Sequence, residues 1–201
     1  MRHFVRHQRQ GSAIVTVPAS TMIGIQWLTV PYFEKTPMTL EHDLERLALQ
    51  EERLRFTQFD KATAWQLGCQ LKALAQARQL ALMIEVRIGT ETVFLHAMDG
   101  TTPMNADWAR RKRNTVELMQ RSSYAVGRAN VLKEQTLKSS LDLPTRDYAD
   151  HGGCFPLRVK GVAGCIGTVT VSGAPQREDH NLVVEVLADL CGVALEQVAL
   201  A

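Results

Sequence analysis

A change of hydrophobic period within residues 60–88 constrains the fold of this chain more than any other feature. Across residues 60–79 the apolar and small side chains recur every three or four positions, and Asp60 can cap the first turn of a helix. From Leu80 to Ile88 the apolar side chains recur at every second position, which is typical of a half-buried strand. The turn GTET and the apolar segment VFLHAM follow directly. The pattern therefore predicts a helix packed against a β-hairpin.

The remainder of the chain is predicted to repeat this order. An earlier helix starts with Thr39 as its cap, and after the hairpin two helices are predicted over residues 105–121 and 123–137, the first of them capped by Asn105. The strings CFPLRV and GCIGTVTV then predict a second hairpin, and a last helix begins at about Arg177. The order ααββααββα indicates an α+β fold with an antiparallel sheet.

Charge and motifs exclude several functional classes. The net charge of the 201 residues is +2, and residues 1–37 contribute +3 of it, so residues 38–201 carry −1. A nucleic-acid-binding domain usually has a basic surplus, so we expect no nucleic-acid partner. The chain has no GxGxxG, no GKS or GKT loop and no GxSxG, which removes the usual support for dinucleotide-binding, P-loop and α/β-hydrolase enzymes.

The four cysteines, Cys69, Cys154, Cys165 and Cys191, form no CxxC pair and match no zinc-finger spacing. We therefore predict no metal site. Each cysteine lies within or beside an apolar run, where a free thiol behaves as a small hydrophobic side chain. Free thiols are typical of a reducing compartment, which favours a cytoplasmic location.

Residues 10–33 carry no charge and follow a basic start, so their length alone would allow a membrane span. Two prolines, a glutamine and several serines and threonines interrupt this segment, and it has no Ala-x-Ala cleavage pattern, which argues against an anchor or a signal peptide. We predict a poorly ordered extension over residues 1–37 and a single domain over residues 38–201. A segment that docks on this domain is the alternative.

The basic run RRKR, residues 110–113, covers the whole circumference of the predicted third helix. Lys112 lies four residues after Trp108 and four before Val116, in the middle of the apolar stripe. A buried ammonium group without a partner is costly, so Lys112 requires a carboxylate, a ligand anion or a group from another subunit. The alternative is that its methylene chain packs while the ammonium group reaches water.

The string HGGCFPLRV combines a histidine with two glycines at the start of a predicted strand. Gly152 and Gly153 allow backbone conformations and close approaches that other residues cannot make, so the loop could line a pocket around His151. A purely structural turn with an exposed histidine is the alternative. A catalytic Cys154 would need a nearby base and a lowered pKa, and His151 on the same short segment is a poor candidate for that base.

Two further histidines have plainer interpretations. His180 falls in the first turn of the last helix, where a capping role is expected, and His96 lies on a strand face with Phe94 as a core residue. Any of His96, His151 and His180 could supply an axial ligand to a heme iron, and their spacing does not select one.

Several strings occur together that resemble a known family: DGTTPMNADWARRK, RSS, and HGGCFP followed by GCIGTVTVSGAPQREDH. Over about Leu44 to Ala199 the chain resembles the uncharacterised GlcG-like branch of the heme-degrading-domain family. The resemblance implies a five-stranded antiparallel sheet flanked by helices, akin to profilin, and assembly into homo-oligomers. The fifth strand could come from RFTQF, residues 55–59, or from the loop before His151.

Two functional hypotheses remain open. The first is a small-molecule site near the double glycine that binds heme or another small anionic compound; its candidate residues are Trp108, Arg111, Lys112, His151, Gly152, Gly153 and Phe155. The second is a non-catalytic oligomeric interaction module, in which the same cationic helix and loop form subunit contacts. No catalytic residue is assigned in either case, because shared fold does not imply a shared reaction.

Overall fold

The computed structural model describes residues 39–200, so the predicted extension over residues 1–37 lies outside the described part of the chain. Within residues 39–200 no helix combines the length and hydropathy that a membrane span requires. The elements are α1 (Leu40–Arg53), α2 (Lys61–Ala77), β1 (Met83–Ile88), β2 (Glu91–Ala97), α3 (Pro103–Met119), α4 (Ser123–Leu132), α5 (Leu137–Leu141), β3 (Cys154–Leu157), β4 (Gly167–Ser172), α6 (Gln176–Cys191) and α7 (Leu195–Val198). The predicted order is present, with α5 and α7 as additional short helices.

The strands form one antiparallel sheet in the order β2-β1-β4-β3. The described residues thus form four strands, and the prediction of five is wrong. The segment RFTQF makes only one parallel bridge, between Phe56 and Val159, because Leu54 still caps α1 and Asp60 already caps α2. The loop before His151 contains turns and no strand.

One face of the sheet carries the main hydrophobic core. The side chains of Ile84, Val86 and Val169 pack there against leucines of α2 and α6, and all three are fully buried. Each fully buried aliphatic side chain of this kind contributes about 2 kcal/mol to folding. The alternation predicted for the two hairpins is what directs these side chains to a common face.

The opposite face of the sheet is covered by α3 and is more polar. Glu85 of β1 accepts a hydrogen bond from the guanidinium of Arg113 at 2.5 Å, and Thr170 Oγ1 of β4 lies 3.0 Å from Cys154 Sγ. Burial raises the pKa of the Cys154 thiol to about 12, which keeps it protonated at neutral pH. Because helices cover both faces, every residue of β4 is buried.

The helix starts agree with the predicted caps at two of three places. Thr39 Oγ1 accepts from His42 N, and Asp60 Oδ1 accepts from Thr63 N, as expected. Helix α3 begins at Pro103 rather than after Asn105, because proline is favoured in the first helical turn. Asn105 acts instead from the third helical position, where its side-chain oxygen accepts from Thr102 N at 2.8 Å.

Candidate functional site

Lys112 on α3 is 3% exposed and points at the first turn of α6. Its ammonium group donates to Asp179 Oδ2 at 2.8 Å and to the carbonyl oxygen of Val171 at 3.0 Å. The interpretation in which the ammonium group reaches water is therefore wrong. Of the partners that remained open, the structure shows a carboxylate of the same chain.

Asp179 is an important residue of this region that the sequence did not reveal. Its carboxylate also accepts from Ala174 N at 3.0 Å and, more weakly, from Gly173 N at 3.4 Å. Burial raises the pKa of Asp179, while Lys112 and the two backbone N–H groups oppose that shift. An acidic residue in the first turn of a helix already has a local explanation in the helix dipole, so its sequence position gives no signal of a distant partner.

The double glycine makes room for this ion pair. Gly153 has φ of +121°, and a Cβ atom there would lie 2.5 Å from the Val171 carbonyl oxygen and 2.7 Å from Lys112 Nζ. A Cβ atom on Gly152 would lie 2.0 Å from the carbonyl oxygen of Gln176. Both positions are therefore confined to glycine by close backbone packing, and the loop that enters β3 lies directly against Lys112.

The loop before the double glycine is fixed along α3. Ala149 N donates to the Arg111 carbonyl oxygen at 3.2 Å and to Thr115 Oγ1 at 3.1 Å, and Asn114 Nδ2 donates to the Asp147 carbonyl oxygen at 2.9 Å. These bonds determine where His151 emerges from the loop.

His151 contacts Trp108, with ring centroids 4.9 Å apart and an interplanar angle of 59°. The guanidinium of Arg111 lies over the same indole, 4.2 Å from its centroid, in a cation–π contact. Partial burial lowers the pKa of His151, and Lys112 and Arg111 lower it further, while Asp150 opposes them. The imidazole is therefore predominantly neutral at pH 7.

A cleft of about 260 Å³ opens beside Trp108 and His151. Its wall includes the exposed side chain of Met104, and its deepest part reaches the ion pair of Lys112 and Asp179. The remaining lining residues come from the start of α3 and from the connection between β4 and α6; they are Thr102, Asn105, Ser172, Gly173, Ala174 and Gln176. We call this the His151 cleft.

The ion pair changes the expected electrostatics of the cleft. Asp179 neutralises the charge of Lys112, so Lys112 does not provide an uncompensated positive charge for an anionic ligand. Arg111, stacked on Trp108 at the edge of the cleft, is the remaining predicted cation.

The predicted site residues do not all lie together. Trp108, Lys112 and His151 line the cleft, whereas Arg111 stacks on Trp108 without lining the cleft itself. Phe155 is 1% exposed and belongs to the hydrophobic core, so it does not form a wall of the cleft. Gly152 and Gly153 support the cleft from behind without lining it.

His180 does not cap α6, contrary to the expected role. It is buried, and its Nε2 lies 2.8 Å from Gln50 Oε1, whose own amide nitrogen donates to the Val198 carbonyl oxygen at 2.7 Å. Burial lowers the pKa of His180 to about 3. Among residues 39–200 no three His, Cys, Asp or Glu side chains are grouped so that they could hold a metal ion.

Comparison with known proteins decides the family. Residues 59–188 match the family described as "Haem degrading protein HbpS-like". This chain belongs to the HbpS-like family. It is 55% identical over 163 residues to a UPF0303 protein of Azotobacter vinelandii, a match that covers 81% of this chain and 98% of the relative. It is 46% identical over 161 residues to a UPF0303 protein of Serratia proteamaculans, a match that covers 80% of this chain and 99% of the relative. The resemblance found in the sequence is thereby confirmed.

Solved structures of low sequence identity share the fold of this HbpS-like chain. The crystal structure of the Ybr137w protein has a TM-score of 0.70 at 23% identity, covering 79% of this chain and 89% of that chain. The crystal structure of the PduOC:Heme complex has a TM-score of 0.54 at 18% identity, and the match covers 66% of this chain and 94% of that chain. The crystal structure of HbpS has a TM-score of 0.52 at 18% identity, and the match covers 68% of this chain and 92% of that chain. These similarities confirm the α+β architecture.

Proposed function

We propose that this protein binds heme at the His151 cleft, with His151 as the ligand of the iron. The observation that carries the proposal is the state of the His151 imidazole: it is half exposed, predominantly neutral and packed against Trp108. Its Nδ1 lies 3.8 Å from Asp150 Oδ1, beyond hydrogen-bonding distance, and within residues 39–200 neither ring nitrogen takes part in a hydrogen bond. A neutral imidazole with a free nitrogen is the common histidine ligand of heme iron.

The structure distinguishes His151 from the other two candidate histidines. His180 is fully buried and its Nε2 is held by Gln50. His96 lies on the edge strand β2 with its ring centroid 6.5 Å from that of Phe94, and it lines neither of the two clefts that border His151. Of the three histidines, His151 is the one that lines the cleft beside Trp108.

The residues around His151 suit a flat, largely apolar ligand with acidic groups. Trp108 and Met104 provide apolar surface, and Arg111 is placed to pair with a propionate carboxylate. A second cleft of about 250 Å³ also borders His151 and Gln176, so the available surface continues on the far side of the histidine. Each cleft alone is smaller than the roughly 300–1,000 Å³ of typical ligand pockets, so a bound heme would remain partly exposed.

Bound heme would supply the iron and its redox and oxygen chemistry, while this chain's residues hold and orient it. The family description and the heme named in the PduOC complex support heme as the ligand. At 18% identity, the way in which the PduOC protein holds heme cannot be transferred to this chain. The proposal therefore rests on His151 itself.

Heme titration followed by absorption spectroscopy tests the proposal. In the wild-type protein we expect a Soret band whose intensity saturates near one heme per chain. In His151→Ala we expect the band to shift, or the affinity for heme to fall at least about tenfold. His96→Ala is the matched control and should titrate like the wild type. Absence of a Soret change over the micromolar range, or equal titration of His151→Ala and wild type, would contradict heme binding at this site.

We also propose that the protein forms a homo-oligomer in a reducing compartment such as the cytoplasm. Exposed apolar side chains on α4 and α5 support self-association, and four free cysteines support the reducing compartment. Lys112 is not a suitable subunit contact, because its ammonium group is already paired inside the chain.

A further inference from the structure

We propose a second binding site, for a phosphate group, at a cleft where three arginines meet. This cleft has a volume of about 380 Å³, and we call it the arginine cleft. None of its lining residues lines the His151 cleft, so the proposal does not depend on heme binding. Its lining residues are Ala48, Glu51, Glu52, Arg55, Arg121 and Arg158.

The parallel bridge between Phe56 and Val159 explains why two of these arginines are neighbours. Phe56 N donates to the Arg158 carbonyl oxygen, and Lys160 N donates to the Phe56 carbonyl oxygen, both at 2.9 Å. This pairing places Phe56 beside Val159, and therefore Arg55 beside Arg158 on the same side of the two segments. Like charges on directly neighbouring segments destabilise the pairing unless a charge of opposite sign lies between them.

The donors of these arginines are largely unused. Within the described part of the chain the guanidinium of Arg55 has no hydrogen bond and no ion pair. The Nε atoms of Arg55 and Arg158 are both buried without a partner. Arg158 donates one Nη group to the Gln120 carbonyl oxygen, and Arg121 Nε lies 3.4 Å from Glu51 Oε2. Buried, unsatisfied donors favour a ligand that can accept from them.

The two acidic residues of the cleft do not neutralise it. Glu51 pairs with Arg121 and also accepts from Ser122 N at 2.8 Å, so its oxygens are already engaged. Glu52 is exposed to solvent. Three arginines against two glutamates leave a positive charge, which is concentrated at Arg55 and Arg158.

The arrangement fits a phosphate better than a single carboxylate. One guanidinium can hold a carboxylate in a bidentate pair, whereas donors that approach from three chain segments suit the several oxygens of a tetrahedral dianion. Arg55 follows α1, Arg121 lies between α3 and α4, and Arg158 follows β3. The ligand class is therefore inorganic phosphate or the phosphate group of a small phosphomonoester.

Isothermal titration calorimetry of the full chain with inorganic phosphate, in a low-salt buffer at pH 7.5, tests the site. We expect saturable binding near one phosphate per chain, weakened at least about tenfold in Arg55→Gln. Arg53→Gln is the matched control: it removes the same charge two residues away, at an exposed position outside the cleft, and should change the affinity less than about twofold. A parallel titration with glycerol phosphate distinguishes a phosphomonoester from the free ion as the preferred source.

Thermal unfolding of the same variants separates binding from folding defects. Without phosphate, Arg55→Gln should unfold at the same temperature as wild type or higher, because the repulsion with Arg158 is removed. Phosphate should raise the unfolding temperature of wild type and of Arg53→Gln by similar amounts, and that of Arg55→Gln clearly less. Absence of phosphate binding at 10 mM, equal losses in both variants, or equally tight binding of acetate would overturn the proposal.

Discussion

Lys112 shows how a single charge can organise its surroundings. Its ammonium group is buried beside a backbone carbonyl and a carboxylate, and the neighbouring loop contains glycines where any side chain would collide with it or with nearby backbone. A buried ion pair is weak evidence for net stabilisation, but loss of one partner leaves the other as an uncompensated buried charge. The residues around Lys112 are therefore energetically coupled.

We predict that Lys112→Met destabilises the protein by about 3–5 kcal/mol, because Asp179 would remain buried without its counter-ion. The free energy of unfolding from urea denaturation measures the effect. The double variant Lys112→Met with Asp179→Asn should recover part of the loss, since no charge then remains buried and the asparagine oxygen can still accept from Ala174 N.

Lys61→Met provides the matched control for this comparison. The ion pair of Lys61 and Glu91 has a similar separation of 2.7 Å, but its side chains are 66% and 60% exposed. Its removal should therefore cost less than about 1 kcal/mol. A loss in Lys112→Met no larger than that in Lys61→Met would show that the buried pair has no special energetic role.

At the scale of elements, Gln50 joins three helices through one side chain. From α1 it bonds to His180 of α6 and to the Val198 carbonyl oxygen of α7. Because the Gln50 oxygen is an acceptor, His180 donates from Nε2. Its Nδ1 is buried without a hydrogen-bond partner, and burial lowers its pKa to about 3, so the imidazole is neutral in the folded protein at neutral pH.

The pH dependence of stability follows from the lowered pKa of His180. Its pKa is about 3 in the folded state and about 6.5 in an unfolded chain, so between these values only the unfolded state binds the proton. The stabilisation is fully present above about pH 6.5 and is lost as the pH falls toward 3, by up to about 1.4 kcal/mol per pH unit. The free energy of unfolding measured at pH 7 and at pH 4.5 should show this loss.

His180→Gln supplies the comparison, because glutamine can donate to Gln50 and does not titrate. The variant should lose clearly less stability than wild type between pH 7 and pH 4.5. If both proteins lost the same free energy over this interval, another group would control the acid sensitivity.

Periodicity predicted the long elements well and the short ones poorly. The period of two placed β1, β2, β3 and β4, and the apolar stripes placed α2 and α6, because these patterns reflect burial along many residues. Helices α5 and α7, with five and four residues, are too short to show a period. RFTQF has strand-like composition, but the helices on either side of it leave room for only the bridge at Phe56.

At the scale of the whole molecule, the candidate site was predictable only in part. The spacing of Trp108, Lys112 and Val116 placed Lys112 in the apolar stripe of α3 without any tertiary information, but it left open whether the ammonium group is paired inside the protein or reaches water. The pairing with Asp179 and the contact of Trp108 with His151 join distant parts of the chain. They depend on how the loop is tied along α3 and on where α6 starts, which no local pattern specifies.

The proposed homo-oligomer is the remaining property at this scale, and the exposed apolar side chains of α4 and α5 offer a place to test it. Val131 and Leu132 at the end of α4 are 57% and 45% exposed, and Leu141 on α5 is 49% exposed. Large apolar side chains close together on a surface are typical of interfaces, and a stable interface buries roughly 1,000 Å² or more in total.

We predict that the wild-type protein elutes as an oligomer in size-exclusion chromatography with light scattering. The double variant Val131→Glu, Leu132→Glu should dissociate, because a carboxylate buried in an apolar interface has no counter-ion. Val162→Glu, at a position 47% exposed between β3 and β4, is the matched control and should retain the wild-type mass. A wild-type mass equal to the 22.4 kDa of one chain would refute self-association. An oligomer that persists in the double variant would instead place the interface on another surface, so the two measurements separate the existence of the assembly from its location.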